Sequence, residues 1–235
     1  MINIFAISDL HLSGFPPKKP MDVFGEVWVN HWEKISSNWR ESVNECDVVL
    51  IPGDISWAMS LEEAQEDLLA IDALPGKKIF LKGNHDFWWS TSAKLRAALP
   101  STITFIHNSY VPVKDIAICG SRGWINPSDS NFTDQDTKVY EREISRISAS
   151  IKAAQKDGYS RIILATHYPM IYYGDINGEF AHMLATNAVE HYIYGHLHGP
   201  AIQQGPVGYF HNVHYHLVSC DALDLKLTKL VQVPE

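Results

Sequence analysis

The sequence predicts an α/β fold, and three observations carry the prediction. Short apolar runs rich in β-branched residues alternate with amphipathic helical patterns, the grammar of βαβ units. Each of the main runs stops at a block of polar residues, and loops beyond the carboxyl ends of such strands are where open α/β sheets place their ligands. Finally, 46% hydrophobic and 20% charged residues over 235 positions suit a globular chain with a sizeable core.

Residues 2–7 form the first run and stop at Ser8-Asp9-Leu10-His11, as a buried strand ending in a loop does. Residues 12–25, with Pro16-Pro17 and Lys18-Lys19, read as an irregular loop able to act as a lid, its lysines placed to steer an anion. A weaker helical pattern covers residues 26–43, where Trp28, Trp32 and Trp39 fall near helical spacing and read as one buried stripe. Residues 48–51 lead to Pro52-Gly53-Asp54, and Ser60 with Glu63 forms a capping box ahead of Ala64, Leu68 and Leu69. The run 79–81 precedes Gly83-Asn84-His85-Asp86, followed by a weak helix over residues 91–98. Residues 133–157 carry the clearest helix, with Val139, Ile144, Ile147, Ile151 and Ala154 on one stripe and Gly158 as its stop. Residues 162–165 end at Thr166-His167, and residues 192–194 at Gly195-His196-Leu197-His198. Residues 102–120 and 206–233 read as consecutive short strands that add antiparallel pairing. No repeat or linker divides the chain, so residues 1–235 are expected to form one domain.

Charge and composition exclude several classes. Lys plus Arg number 19 against 27 for Asp plus Glu, a net charge of −8, which disfavours non-specific nucleic-acid binding through phosphate contacts. No run approaches the ~20 apolar residues of a membrane span. The amino terminus lacks the pattern of a secretory signal, and a cytoplasmic location is expected. Cys46, Cys119 and Cys220 are odd in number and widely spaced, so neither a disulfide framework nor a sulfur-ligated zinc site is expected, and all three read as small buried residues.

The strand-end blocks collect Asp9, His11, Asp54, Asn84, His85, Asp86, His167, His196 and His198. Asp9 and His11 are two apart, as are His196 and His198, so in extended backbone each pair points to one side and can converge on an ion. Nitrogen and oxygen donors without thiolate suit Mn, Fe or Zn. Seven ligands exceed one tetrahedral ion and suit two divalent metal ions sharing a carboxylate and a water. Two such ions bring +4 and Asp9 with Asp54 return −2, leaving a positive centre that attracts phosphate. Paired ions also lower the pKa of bound water, so phosphoester hydrolysis is the natural reaction.

In order, Asp9-x-His11, Gly53-Asp54, Gly83-Asn84-His85-Asp86, the lone His167 and Gly195-His196-x-His198 resemble the calcineurin-like metallophosphoesterase superfamily, from Asp9 to His198. The resemblance implies a pair of packed mixed β-sheets flanked by helices. It implies one metal held by Asp9, His11, Asp54 and His198, a second held by Asp54, Asn84, His167 and His196, and Asp54 as the bridge. It further implies in-line attack by a hydroxide shared between the ions, His85 as the general acid on the leaving group and Asp86 as its orienter. Asn84 would also touch the substrate phosphate. Arg122, on a glycine-flanked turn, is a candidate contact for a phosphate oxygen. Protein Ser/Thr phosphatases of the superfamily extend the second block with an Asp and an Arg, whereas Gly53-Asp54 here continues Ile55-Ser56-Trp57-Ala58, which argues against a phosphoprotein substrate.

Single histidines more often pack or face solvent than bind metal, and that reading applies to His31, His107, His182, His191, His211, His214 and His216. His214-Tyr215-His216 shares the ligand spacing but falls inside a predicted strand. Trp57, Trp88 and Trp89 follow ligand blocks and could wall a cleft or fill the core. The leading expectation is a hydrolase of a small phosphomonoester or phosphodiester, nucleotides included. The alternatives are a non-catalytic metal-binding scaffold, which would show eroded ligand blocks, a nuclease, which would need a basic groove, and a nucleotide-lipid pyrophosphatase, which would need an apolar, basic-rimmed insertion.

Overall fold

The computed structural model describes residues 1–234. From the amino terminus, β1 (Ile2–Ala6), α1 (His31–Ser42), β2 (Val48–Pro52), α2 (Gln65–Asp72), β3 (Lys77–Leu81), α3 (Ser92–Ala98) and β4 (Ile103–Phe105) repeat a strand-helix unit, and the four strands pair in parallel. Next come β5 (Tyr110–Val113), β6 (Ile116–Ser121), α4 (Asp134–Lys156), β7 (Arg161–Thr166), α5 (Glu179–Thr186), β8 (Val189–Tyr194), β9 (Gly208–Phe210) and β10 (Val213–Leu217). The last strand, β11 (Thr228–Val233), returns to pair antiparallel with β1. One sheet has the order β11-β1-β2-β3-β4 and the other β5-β6-β7-β8-β10-β9. This is the expected pair of mixed sheets flanked by helices. The regions read as short strands pair both ways: β5 with β6 and β9 with β10 antiparallel, but β4 with β3 and β10 with β8 parallel.

Strand alternation explains the layering. Ile4 and Ala6 of β1, Val48 and Leu50 of β2, Ile116 and Ile118 of β6 and Ile163 of β7 pack between the sheets. Their neighbours Phe5, Val49 and Ile51 pack on the other face with Ile35 and Trp39 of α1 and Leu68 of α2. Ala117, Cys119, Ile162 and Leu164 likewise meet Ile147 and Ile151 of α4. Central strands covered on both faces must be apolar throughout, which is why β2 is buried at every position. Their carboxyl ends therefore leave the core as a group.

Several local expectations need correction. The helix read over residues 26–43 is a 3-10 turn at Glu26–Trp28 followed by α1, so Trp28 lies outside the helix, and its ring packs against His11 and His198 instead. Ser60 Oγ accepts from Glu63 N–H at 3.2 Å as expected, but the regular α2 begins at Gln65. The Leu61 carbonyl that would extend the helix accepts from the Gln65 side-chain amide at 3.2 Å. Cys119 and Cys220 are buried, whereas Cys46 is exposed.

Candidate metal centre

Five strand ends converge where β1, β2, β3, β7 and β8 stop. The turns there are strained in a specific way: Asp9 (φ 61°), His11 (φ 47°), Asp54 (φ 51°) and His196 (φ 71°) all occupy the left-handed region. That conformation is uncommon for residues with a Cβ and persists where surrounding structure imposes it, as at functional sites. Two glycines answer to close approach instead. A Cβ on Gly83 would lie 2.1 Å from Asp54 Oδ1, and one on Gly195 would lie 2.4 Å from Asp9 Oδ2. Gly83 and Gly195 thus let the third and fifth blocks pass against the carboxylates of the first two.

The donor atoms form one cluster. His198 Nε2 stands 3.4 Å from Asp9 Oδ1, and Asp54 Oδ2 lies 3.8 Å from His11 Nε2 and 3.5 Å from His167 Nε2. Asn84 Oδ1 is 2.7 Å from His167 Nε2 and 2.9 Å from His196 Nδ1. Among the described residues, two groups have the mutual spacing of metal ligands: Asp9, His11 and His198, and Asp9, Asp54 and His167. They share Asp9, while Asp54 Oδ2 sits between a histidine of each expected ion site.

Electrostatics and hydrogen bonding fit cations here. Burial drives the His11 and His167 pKa values down to about 3 and that of His196 to about 4, so all three are neutral at pH 7, the state in which an imidazole can bind a metal. Burial opposes charge on Asp9 too, yet the hydrogen bond and charge of His198, with His167 and His11, hold its carboxyl well below the usual range. Burial, then the charges of Asp9 and Asp86, pushes Asp54 up to about 9. His167 Nδ1 faces the Pro52 carbonyl at 3.1 Å, and donating there leaves Nε2 as a lone pair aimed at Asn84 Oδ1. Acceptor facing acceptor is an arrangement a shared cation reconciles. His11 Nδ1 is buried without a hydrogen-bond partner among the described residues. At metal-ligand distances of about 2.0–2.2 Å, neighbouring ligands stand about 3 Å apart. The N and O donor set fits Mn, Fe or Zn.

Sequence reading missed Asp221, just beyond β10, whose Oδ1 accepts from His198 Nδ1 at 2.8 Å. Burial would lower the His198 pKa, but hydrogen bonds to Asp221 and Asp9 hold it at about 10. The signal was an apolar strand ending in Ser219-Cys220-Asp221, the same grammar without an Asp-x-His pair. Cys220 Sγ donates to the Asp9 carbonyl at 3.1 Å and so steadies the turn.

A cleft of about 370 Å³ opens over the cluster, lined on one side by His85, His196 and His198 and on the other by Met21, Phe24, Val27 and Trp28. Trp57 stacks on His11 at 4.9 Å and lies tilted against His85 at 4.2 Å, so it is a cleft wall. Trp88 is buried in the core and Trp89 lies away from the cleft, so the three tryptophans divide. His85 N–H donates to Asp54 Oδ1 at 2.8 Å, and its ring faces the cleft without a hydrogen bond.

Two residues stand elsewhere than expected. Asp86 makes no hydrogen bond to the His85 ring. Its carboxylate accepts from Ile55 N, Ser56 N, Gly83 N and Trp88 Nε1, so it ties the second block to the third instead of orienting an acid. Arg122 does not line the cleft: its guanidinium lies over Trp124 at 4.6 Å and faces a separate pocket. His214 and His216 gather with His191, which faces His216 at 3.0 Å, away from the cluster.

A calcineurin-like phosphoesterase family profile matches residues 2–200. The chain belongs to that family. It is therefore a phosphoric ester hydrolase with the mixed two-sheet fold of the calcineurin-like phosphoesterases. Two solved structures share the fold. One is the protein of unknown function AQ665 from Aquifex aeolicus, at 18% identity and TM-score 0.51, covering 97% of this chain and 96% of its own. The other is phosphopantetheinyl hydrolase (PptH) from Mycobacterium tuberculosis, at 14% identity and TM-score 0.60, covering 99% and 96%. No curated protein matches. Among the described residues no helix is long and apolar enough to cross a membrane.

Proposed function

We propose that this phosphoesterase is a dinuclear metal-dependent hydrolase of a small phosphomonoester or phosphodiester, a nucleotide included. The observation that carries the reading is the convergence of Asp9, His11, Asp54, Asn84, His167, His196 and His198 on one buried cluster at the floor of a cleft. Asp9, His11, Asp54 and His198 would hold one divalent cation, and Asp54, Asn84, His167 and His196 the other. When bound, such ions supply Lewis acidity to phosphoryl oxygens and acidify water to about pKa 7.

The protein's own groups perform the rest. Asp221 accepts a hydrogen bond from His198 Nδ1–H and so turns Nε2 toward the cluster, and the Pro52 carbonyl does the same for His167. His85, held at its backbone by Asp54 and with its ring against Trp57, would deliver a proton to the departing ester oxygen. His85→Ala should keep both metals and lose about 10²–10⁴-fold in kcat, most severely with poor leaving groups. Unchanged kcat with an alkyl ester would remove His85 from this role.

One observation favours an ester with an apolar organic part. The 3-10 turns at Met21–Phe24 and Glu26–Trp28 line the cleft with Met21, Phe24, Val27 and Trp28, and Val23 and Phe24 are 73% and 67% exposed beside it. Lys19 Nζ lies over Trp57 at 5.1 Å. Residues 18–28 therefore supply an apolar, partly basic lip, of which sequence reading found the loop and its lysines but not the apolar lining, and this favours the nucleotide-lipid pyrophosphatase alternative. PptH, a phosphopantetheinyl hydrolase by name, supports an ester with an extended organic group.

A further inference from the structure

We propose that a second pocket, formed by Lys82, Arg122 and Arg146, binds a phosphate group, carried either by free phosphate or by a small organic phosphate. The pocket holds about 310 Å³ and shares no lining residue with the cleft over the metal cluster. It lies between the carboxyl ends of β3 and β6. A Cβ on Gly120 there would stand 2.7 Å from Leu81 Cδ2.

Its charge is the first argument. In a chain of net charge −8, the lining contains Lys82, Arg122 and Arg146 and no Asp or Glu. Glu143 lies beneath, fully buried, but its capacity is taken. One oxygen pairs with Arg146 at 2.6 Å and the other accepts from Ser121 Oγ at 2.5 Å and Gly123 N at 3.2 Å. Of the three cations Glu143 bonds only to Arg146, and it acts on Arg122 through space alone.

The second argument is that the other two cations have no bonded anion, Arg122 having only the Trp124 ring beside it. Neither the Lys82 ammonium nor the Arg122 guanidinium makes a hydrogen bond or ion pair among the described residues, and both are half-buried. Both side chains line the same pocket, which places the two cations near enough to act on one anion. Cations taken partly out of water without a counter-charge are costly, and a dianion between them offsets that cost. Arg122 brings a planar fork suited to phosphate oxygens and Lys82 a point charge. Ser90, whose hydroxyl makes no hydrogen bond among the described residues, and Trp89 also line the pocket, the latter an aromatic surface for an organic moiety.

The site also touches the centre from behind. Lys82 stands two residues before Asn84, and the Arg122 carbonyl accepts from His167 N and Tyr168 N, each at 3.0 Å. An anion held here would brace both loops.

The test is titration calorimetry of the manganese-loaded protein with inorganic phosphate, alongside the variant Lys82→Met/Arg122→Met. The wild type should bind two phosphates per chain, one at each site, and the variant one, the lost site weakened more than tenfold. One equivalent in the wild type, or two in the variant, overturns the proposal. Should the variant fail to fold, wild-type crystals soaked in sulfate should show an anion against Lys82 and Arg122, and an empty pocket at saturating sulfate overturns it. Phenylphosphonate binding tighter than phosphate, with the advantage lost in Trp89→Ala, identifies an organic phosphate as the occupant. Equal affinity identifies free phosphate.

Discussion

Replacing Asp86 separates a structural carboxylate from a catalytic one. Its Oδ1 accepts from Ile55 N at 2.9 Å, Ser56 N at 3.2 Å and Trp88 Nε1 at 2.9 Å, while Oδ2 accepts from Gly83 N at 2.7 Å. The side chain is fully buried, so Asp86→Ala strands four donors. Each stranded donor costs about 1–3 kcal/mol, and water entering the vacated space recovers part of the total, so a loss of at least about 4 kcal/mol is expected. Asp86→Asn keeps the oxygen that serves three donors and turns its amide N–H against Gly83 N–H alone, for about 2 kcal/mol. Urea unfolding of the metal-free proteins, followed by tryptophan fluorescence, gives both numbers. An Ala variant costing under about 1 kcal/mol, or an Asn variant as destabilised as the Ala variant, would refute the hydrogen-bond account. A full-stability Asp86→Ala with depressed kcat would restore the orienting role for His85.

Two further outcomes follow from the cluster. Asp221→Ala removes the acceptor of His198 Nδ1–H and should weaken metal affinity about 10–100-fold without unfolding the chain, read by competition with a chelating dye. In the metal-free protein Asp54, raised to about 9, and His198, raised to about 10, both carry protons at pH 7, whereas His11, His167 and His196 do not. Loading should thus release about two protons per chain at pH 7, and affinity should climb with pH until about 10, less steeply above about 9. Calorimetry in buffers of different ionisation enthalpy counts them, and zero release would contradict the assigned protonation.

Much of the site was legible because each ligand block follows a strand buried on both faces. An unbroken apolar run such as Val48-Val49-Leu50-Ile51 marks such a strand, and the first polar residues after it must emerge at the sheet's edge. What crosses that edge was not legible. Trp28 lies in a stretch with helical spacing, but the chain turns before α1 starts and carries its ring onto His11 and His198. Asp86 sits beside His85 in sequence, yet neighbours in a turn diverge, and its carboxylate points into the protein. Short α5 escaped because a two-turn helix leaves little periodicity to read. Arg122 reads as a phosphate contact from its turn, and nothing local says which of two pockets it faces.

Anomalous diffraction from crystals soaked in manganese tests the central claim most directly. Wild-type crystals should show two peaks about 3.5–4 Å apart, with Asp54 between them and Asp9, His11 and His198 on one side, Asn84, His167 and His196 on the other. A single peak, or two peaks that persist in Asp54→Ala, would contradict it.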